Sequence, residues 1–451
     1  MKKPSAQRST SAKKTATKKS AVKRAAVKKA ATKQAPAKKA AVKKAAVKKA
    51  ARSSGGPRRY AGLPVVWQVN SGKQTVGLWV DDHVWTGNDV GECYKLDKST
   101  GKLVSSWKLP GECVAVVSDD AWRYAGCNDG CIYDLTGDVA RVAYQLGGAR
   151  HDWIEVNQGV LCVSDDRGTI TVIDVDGTTR WQKSDPKATE AWVLRTAADG
   201  LYHGSMVGLR KYDWSGKRKW ETKCGDVRYG AIDGDDIIVT SGFFTASGNT
   251  CISRIERAKG KELWRKEART KSSGFYSSGA EACAASASSE GTRRFFAAVG
   301  GYVFCYDDKG KLQWEAPTKC ESLCNMMVQG DALYFASANG AIGRADISPA
   351  AFAKLEAGAW PAPSTRSQGR LKERSRDVER TKDTSKGVVV ECVKEGGKVR
   401  VRVISKGYRS DWFCQFPRDI REVGAKFVVD EVREATQGGF YRVLGNIKRL
   451  D

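Results

Sequence analysis

The sequence predicts an all-β protein: a seven-bladed β-propeller closed by an N-terminal strand, with a disordered basic tail before it and a small β-barrel-like module after it. Three observations lead to this prediction. A pattern of the form apolar-Asp-x-x-Gly-Lys-x-x-Trp recurs through residues 60–350. Residues 1–59 contain 21 Lys or Arg and no Asp or Glu, and residues 387–451 contain short runs of alternating apolar and polar residues. Recurrence at this length indicates a repeat architecture, and the charge run indicates a separate solvated segment.

The basic tail, residues 1–59, consists mainly of Ala, Lys, Val, Thr and Ser, and the pentad AAVKK recurs in it. A five-residue step turns by about 140° around a helix, so the valines never form one apolar stripe. Because the lysines also repel one another, we expect the tail to be disordered. In composition it resembles the C-terminal tails of linker histone H1 and the Lys/Ala-rich histone-like proteins of some bacteria.

The tail carries most of the net charge of +26, since the rest of the chain contributes only +5. Dense lysines neutralise phosphates and release counterions without a defined geometry, so we expect DNA binding that does not depend on base sequence. The alternatives are RNA, acidic lipid, a contribution to solubility alone, or an organelle-targeting presequence. The residues expected to contact phosphate are Lys13, Lys14, Lys18, Lys19, Lys23, Arg24, Lys28, Lys29, Lys38, Lys39, Lys43, Lys44, Lys48 and Lys49.

The repeat of residues 60–350 ends in an aromatic residue every 37 to 50 positions, a length that accommodates four short antiparallel strands. Five copies end in Trp, and a degenerate copy, CIYDLTGDVARVAY, ends at Tyr144. A seventh unit after Cys320 lacks its last strand, and we expect the segment around Trp67 to supply it and so close the ring. We expect each Trp to pack against the neighbouring blade, at Trp67, Trp107, Trp181, Trp220, Trp264 and Trp314.

This signature resembles the pyrroloquinoline-quinone-like repeats that occur in quinoprotein dehydrogenases and in many scaffold propellers without a cofactor. Quinoprotein enzymes of this type add a vicinal cysteine pair and calcium ligands, whereas this chain has no Cys-Cys dipeptide. The resemblance therefore implies a propeller that is not an enzyme and has no catalytic residue, cofactor or metal. A quinone- or metal-dependent enzyme is the third-ranked hypothesis, because a fold does not fix a function.

Histidine and cysteine offer little for catalysis. The three histidines fall in separate blades, and we expect His151 and Asp152 to form a solvated loop pair. The thirteen cysteines are scattered singly, which predicts reduced thiols in an intracellular compartment. Two C-x-x-x-C spacings, Cys127 with Cys131 and Cys320 with Cys324, leave a zinc or redox pair open, but small buried thiols are the preferred interpretation.

The charged composition of residues 351–386 predicts a linker to the small β module of residues 387–451. Alternating apolar residues and an EGGK turn predict four or five antiparallel strands in a small barrel. Lys398, Arg400 and Arg402 alternate with valines, which predicts a secondary basic face for phosphate or an acidic peptide. We expect most of the module's aromatic residues to lie in its core.

We therefore predict a monomeric, non-enzymatic scaffold that the tail tethers to DNA and whose propeller binds an unidentified protein partner at the loop-lined mouth of its channel. The chain shows no signal peptide and no apolar run that could span a bilayer, so no membrane partner is expected. The expected location is the cytoplasm or nucleoid of a bacterium, or the nucleus of a eukaryote. The alternative is a scaffold of a bacterial signalling or assembly complex that does not bind DNA.

Overall fold

The computed structural model describes residues 56–119, 122–147, 149–241, 250–267, 282–289, 292–320, 322–363, 387–405, 408–409, 412–434 and 440–450. The predictions for the basic tail up to residue 55, its phosphate-binding residues included, lie outside this range. The same holds for the linker from residue 364 to 386. Within the described range, no helix combines the length and the apolar character needed to cross a lipid bilayer.

Among the described residues, the propeller contains 29 short strands. Two strands precede the first complete blade, namely β1 (Arg58–Arg59) and β2 (Val65–Asn70). Blades 1 to 3 contain β3 (Thr75–Val80), β4 (His83–Asn88), β5 (Glu92–Asp97), β6 (Leu103–Lys108), β7 (Cys113–Asp119), β8 (Trp122–Cys127), β9 (Cys131–Asp134), β10 (Arg141–Gln145), β11 (His151–Asn157), β12 (Val160–Asp165), β13 (Thr169–Ile173) and β14 (Thr179–Ser184). Blades 4 to 6 contain β15 (Val193–Ala197), β16 (Gly200–Ser205), β17 (Gly208–Tyr212), β18 (Arg218–Thr222), β19 (Val227–Asp233), β20 (Asp236–Ser241), β21 (Cys251–Glu256), β22 (Glu262–Glu267), β23 (Ala282–Ser289), β24 (Thr292–Val299), β25 (Tyr302–Tyr306) and β26 (Leu312–Pro317). Blade 7 contains β27 (Leu323–Gln329), β28 (Ala332–Ser337) and β29 (Ala341–Asp346).

Each blade is an antiparallel sheet whose strands follow one another from the innermost to the outermost. In blade 7, β2 pairs antiparallel with β29 and becomes the fourth strand. The two ends of the propeller are therefore held in one sheet, which leaves no unpaired blade at the junction. The prediction of a seven-bladed propeller closed by an N-terminal strand is confirmed.

The closure contains two features that the sequence analysis did not predict. Arg58 and Arg59, which we assigned to the tail by composition, form β1 and pair parallel with β26 at the outer edge of blade 6. A helix, α1 (Pro349–Glu356), follows blade 7, and it spans the boundary at which we placed the linker. Its Ser348 N-cap accepts from the Ala351 backbone N–H, and a proline occupies its first turn, both common helix-start features.

The small module is a closed five-stranded barrel, as predicted in outline. Its strands are β30 (Val388–Glu395), β31 (Lys398–Val403), β32 (Phe413–Gln415), β33 (Lys426–Glu434) and β34 (Phe440–Arg449). The prediction that all its strands are antiparallel was wrong, because β32 and β34 are parallel. Strand direction cannot alternate around a ring with an odd number of strands, so at least one pair must be parallel.

The barrel packs against the propeller at blade 2, the blade with the degenerate repeat. Arg418 of the barrel lies over the ring of Tyr144, 5.6 Å from its centre, and also beside Gly177 in the outer turn of blade 3. Phe440 contacts Trp122, with ring centres 6.2 Å apart. Hydrogen bonds add to this contact, including one from Arg141 Nη2 to the Ile447 carbonyl (2.9 Å).

Candidate functional site

The repeat tryptophans join each blade to the next. In five blades the indole Nε1 donates to a carbonyl in the outer turn of the following blade, at 2.8–3.2 Å. In four of those turns a glycine with positive φ lies under the indole, so that the ring and the turn are in direct contact. The donors and acceptors are Trp67 to Lys98, Trp107 to Gly137, Trp181 to Trp214, Trp220 to Arg257, and Trp264 to Asp308.

Trp314 of blade 6 has no such turn to meet, because blade 7 is completed by a strand from the other end of the propeller. It packs instead on Phe352 of α1, with ring centres 5.1 Å apart. Tyr60 stacks on Phe352 at 3.8 Å and also contacts Trp314 edge-on, with ring centres 6.1 Å apart. The helix and Tyr60 thus take the place of the missing turn.

The strongest candidate site lies at one mouth of the central channel, where the chain enters the innermost strands of blades 3, 4 and 5. Register shifts at the start of β11 and β19 leave Asp152 and Arg228 out of the ladder. Bulges of this kind redirect side chains and are frequent beside functional sites. We call the charged and aromatic side chains here the entry cluster, which consists of Arg150, Asp152, Glu190, Trp192, Asp226 and Arg228.

The centre of the entry cluster is the half-buried indole of Trp192. The Arg150 guanidinium lies over it, 5.8 Å from the ring centre, in the range of a cation–π contact. Asp152 connects the backbone next to Trp192 to Arg150. One of its carboxylate oxygens accepts from the Ala191 backbone N–H (2.9 Å), and the other lies 3.6 Å from Arg150 Nη2. Trp192 is therefore positioned by two neighbouring blades.

Arg228 forms the second half of the entry cluster. Its guanidinium contacts Asp226 Oδ2 at 2.8 Å and Glu190 Oε2 at 3.0 Å. Asp226 is buried, and burial raises the pKa of its carboxyl group above the ordinary value. Glu190 has φ of +52°, a conformation that is rare for residues other than glycine and that concentrates at functional sites.

Below the entry cluster, a buried ion pair crosses from blade 3 to blade 4. Glu155 Oε2 lies 3.3 Å from Arg195 Nη1, and the Arg195 guanidinium lies 5.5 Å from the ring centres of both Trp153 and Tyr229, which also contact each other. Burial raises the pKa of Glu155 to about 7, although Arg195 opposes this shift. The pair fixes the relative positions of three blades beneath the mouth.

His151 and Asp152 are not the solvated pair that we expected, because both side chains are buried. The innermost strand begins at His151, so the residue already faces a neighbouring blade. Burial lowers the pKa of the imidazole to about 4, which leaves it neutral at pH 7. Within the described range, no group of three or more His, Cys, Asp or Glu is arranged to hold a metal ion.

The cysteine spacings place thiols at strand ends. Cys127 ends β8 and Cys131 begins β9, and both are buried and free. Burial raises the pKa of Cys127 to about 12 and that of Cys320 to about 11. These thiols are protonated at pH 7, and a protonated thiol is a weak nucleophile and a poor metal ligand.

The predicted basic face lies on β31. The guanidinium groups of Arg400 and Arg402 stack on Phe413, 4.3 and 4.8 Å from the ring centre, and Arg402 also pairs with Glu395. Lys398 is exposed. Arg400 also lines a notch of about 290 Å³ between the barrel and the Asp174 turn of blade 3. Part of this basic face is therefore neutralised within the protein.

The sequence analysis predicted that the channel mouth is the binding region but named none of the entry cluster. Arg150, Trp192 and Arg228 are single residues outside the repeat signature, about 36 to 42 positions apart. The available signal was a tryptophan that does not end an outer strand, as at Trp192. This signal does not single out Trp192, because Trp85, Trp122 and Trp153 also do not end an outer strand and are buried.

Over residues 64–242 and 248–407, the chain matches the family described as outer membrane protein assembly factor BamB. No curated protein matches it. Among solved structures, it is similar to a chain of the mitotic checkpoint complex, with 15% identity, a TM-score of 0.54, and coverage of 68% of this chain and 98% of that one. It is also similar to the WD40 β-propeller domain of Doa1, with 13% identity, a TM-score of 0.51, and coverage of 65% and 99%. BamB from Moraxella catarrhalis has 19% identity, a TM-score of 0.42, and coverage of 59% and 83%.

At these identities the solved structures show the fold alone. The family match extends over well more than half of the sequence and includes every blade of the propeller. The chain therefore belongs to the family described as outer membrane protein assembly factor BamB, built on repeats of the PQQ type.

Proposed function

We propose that the protein is a non-enzymatic scaffold that binds a protein partner at the entry cluster and that its basic tail tethers it to DNA. The observation that carries the first half is Trp192, a half-buried indole fixed beneath Arg150 on a rigid ring of strands, two residues along the chain from the Glu190 that pairs with Arg228. Trp and Arg held in a preformed site are the residues that dominate binding energies in protein interfaces. An arrangement fixed before binding also loses little conformational entropy on association.

The second half of the proposal rests on the charge of the tail. Residues 1–54 carry 19 Lys or Arg without an acidic residue. A segment of this kind binds phosphate backbones through counterion release and needs no folded surface. The tether would hold the scaffold in the compartment that contains DNA and leave the entry cluster open to its partner.

The DNA tether is tested by measuring affinity for duplex DNA against salt concentration. The structure sets the truncation, because β1 begins at Arg58 and belongs to blade 6, so only residues 1–54 are removed. We expect the full chain to show a steep negative slope of log affinity against log salt, and the truncated chain to lose most of it. A matched control replaces the fourteen predicted phosphate-contacting residues by Gln at constant length. If truncated and full-length chains bind alike, the tether is refuted and the basic face of β31 becomes the lead site.

The partner site is tested with Trp192→Ala. The chain offers a matched control in Trp214, a second accessible indole, which also has an arginine over its ring (Arg180, 5.6 Å) but lies in the outer turn of blade 4. We expect Trp192→Ala to remove a co-purifying protein that both the wild type and Trp214→Ala retain. Equal retention by all three proteins would exclude the entry cluster as the docking site.

A second candidate function follows from the family description, which names an assembly factor. In that case the propeller is a scaffold of an assembly complex and the tail does not bind DNA under physiological conditions. The two proposals differ in one measurable property. Partner binding that persists after removal of residues 1–54, with no DNA affinity at physiological salt for the full chain, favours the assembly scaffold.

A further inference from the structure

The seven blades allow an internal comparison that identifies one exceptional position. In each blade, the fourth residue of the second strand pairs with an equivalent residue of the third strand, and both residues are buried. In blade 6 the position is counted from Arg294. In six blades this pair contains no formal charge. In chain order the pairs are Thr86 with Tyr94, Ala125 with Tyr133, Val163 with Thr171, His203 with Arg210, Val239 with Ser253, Ala297 with Phe304, and Phe335 with Gly343.

Blade 4 alone places an imidazole and a guanidinium at this position, His203 and Arg210. The side chains of both are almost fully buried, and removing a charged group from water is costly unless partners compensate. Arg210 is compensated by Glu221 on the next strand (2.9 Å) and by Asp185 of blade 3 (2.7 Å). A repeat that tolerates valine and serine here has no packing need for this arrangement.

His203 is not compensated in the same way. Within the described part of the chain, neither of its ring nitrogens has a hydrogen-bond partner, although the residue is only 1% exposed. Burial lowers the pKa of the imidazole to about 3, so the ring is neutral at pH 7. A neutral imidazole keeps one N–H donor and one acceptor, and leaving both unused in the interior is unfavourable.

The unused nitrogens belong to a residue that lines a cleft between blades 3 and 4. The cleft has a volume of about 340 Å³, within the range of small-molecule sites. Arg210 forms part of its wall, and the side chains of Lys183 and Arg218 lie at its edge with Ser184 and Asp185. Three cations and the Asp185 carboxylate line the cleft, and Arg210 and Arg218 share Glu221 at 2.9 and 3.0 Å. Together with the unpartnered ring nitrogens of His203, the guanidinium and ammonium donors are groups that bind an oxyanion.

We propose that this cleft binds a small molecule that bears an oxyanion, either a carboxylate or a phosphate group. The oxyanion accepts hydrogen bonds from the imidazole N–H of His203 and from the Arg210 guanidinium, and Lys183 and Arg218 add attraction at the entrance. The site is separate from the entry cluster and from the tail, so it stands independently of the scaffold function.

The test uses nitrogen-15 NMR of the histidine side chains, because the chain has only three histidines and His203 can be assigned by substitution. Acetate and inorganic phosphate are titrated separately into the full chain. We expect a saturable shift of the His203 ring nitrogens with at least one of the two anions, before His83 or His151 responds. Saturation with phosphate alone identifies a phosphate-bearing ligand, and saturation with acetate alone identifies a carboxylate-bearing ligand. No shift with either anion, or shifts of all three histidines together, would overturn the proposal.

A matched variant carries the blade 5 pair into blade 4, as His203→Val combined with Arg210→Ser. The chain already folds with this pair at Val239 and Ser253, so the variant preserves the packing of a natural blade. We expect anion affinity, followed by calorimetry, to fall at least tenfold, whereas Lys311→Ser, which removes an exposed cation in blade 6, leaves it unchanged. Equal losses in both proteins would indicate nonspecific attraction and contradict a built site. Arg210→Lys keeps the charge without the planar fork and is expected to bind with intermediate affinity, a result that does not depend on the double variant.

Discussion

Glu155 shows how burial turns a single side chain into a pH-dependent element of stability. Its pKa of about 7 in the folded protein lies above the ordinary value of 4.5, because burial outweighs the attraction of Arg195. Between these two values the folded state holds a proton that the unfolded state has released. The contribution of Glu155 to the free energy of unfolding therefore falls as pH rises from 4.5 to 7, by up to about 3 kcal/mol.

We expect Glu155→Gln to remove this pH dependence. Denaturant unfolding at pH 5 and pH 8 measures it as the stability of the wild type minus that of the variant, which should be lower at pH 8 than at pH 5 by about 2–3 kcal/mol. The buried His151 and His203 stabilise both proteins alike as pH rises, so they cancel in this comparison. Glu356→Gln, at an exposed position in α1, serves as the control and should differ from the wild type equally at both pH values. A wild-type-minus-variant difference that is the same at pH 5 and pH 8 would contradict the role assigned to Glu155.

The glycine of the outer turn has two separate functions, which two substitutions can distinguish. Gly260 has φ of +71°, and a methyl group added there would lie 2.6 Å from Trp220 Cδ2. Gly234 has φ of +55° but no atom within 4 Å of that methyl position. We expect Gly234→Ala to lower the free energy of unfolding by about 1 kcal/mol, the cost of the backbone conformation. Gly260→Ala should lower it by about 3 kcal/mol, since the indole must also move. Urea unfolding measures the free energy of unfolding of both variants. Equal losses in the two variants would show that the indole contact adds nothing to stability.

At the scale of elements, the barrel is attached where the repeat is degenerate. Blade 2 ends in Tyr144 in place of a tryptophan, and the smaller ring leaves the side of Gly177 open. Arg418 fills that space, lying against both residues as the indole does in other blades. The degenerate repeat is thus a docking position, and the barrel completes the contact between blades 2 and 3.

We therefore expect Arg418→Ala to loosen the barrel. Arg418 is exposed, so the loss of its cation–π contact and packing should cost about 0.5–1 kcal/mol in the free energy of unfolding. Arg433→Ala removes an exposed barrel arginine paired with Glu431 and should cost less than about 0.5 kcal/mol.

Hydrogen exchange locates the effect of Arg418→Ala. The backbone N–H of Asp138 donates to Asn446 Oδ1 across the junction (3.2 Å), so its exchange rate reports on docking. The rate should rise in Arg418→Ala and stay the same in Arg433→Ala. Unchanged exchange in both variants would show that Arg418 does not hold the barrel in place.

The elements also show which parts of the structure can be predicted from the sequence. The blade count was predictable because turn residues and an end aromatic residue, a tryptophan in all but blade 2, recur at a regular spacing, and each acts over a few residues or on the adjacent blade. The entry cluster was not predictable, because Arg150, Trp192 and Arg228 lie on different blades and meet only when the ring is formed. The exceptional pair of blade 4 was hidden for a similar reason, since Arg210 is recognised as the partner of His203 only when the strand register is known.

For the whole molecule, the contacts that close the ring decide whether seven blades behave as one body. The N-terminal segment contributes three times, through β1 at the edge of blade 6, through β2 in blade 7 and through Tyr60, which stacks on Phe352 beside Trp314. All three contributions lie after residue 54. Residues 1–54 can therefore be removed without removing any of these contacts, whereas a longer deletion removes some of them.

We expect removal of residues 1–54 to leave the melting temperature unchanged, and removal of residues 1–70 to abolish a single cooperative transition. The longer deletion takes away β2, so β29 becomes an exposed edge strand and the ring has an open junction between blades 7 and 1. It also removes the Trp67 indole that docks on the outer turn of blade 1 at Lys98. Calorimetry combined with light scattering should detect broadened unfolding and association through the free edge. A 1–70 deletion that melts as sharply and at the same temperature as the 1–54 deletion would show that the remaining blades hold the ring without its closing strand.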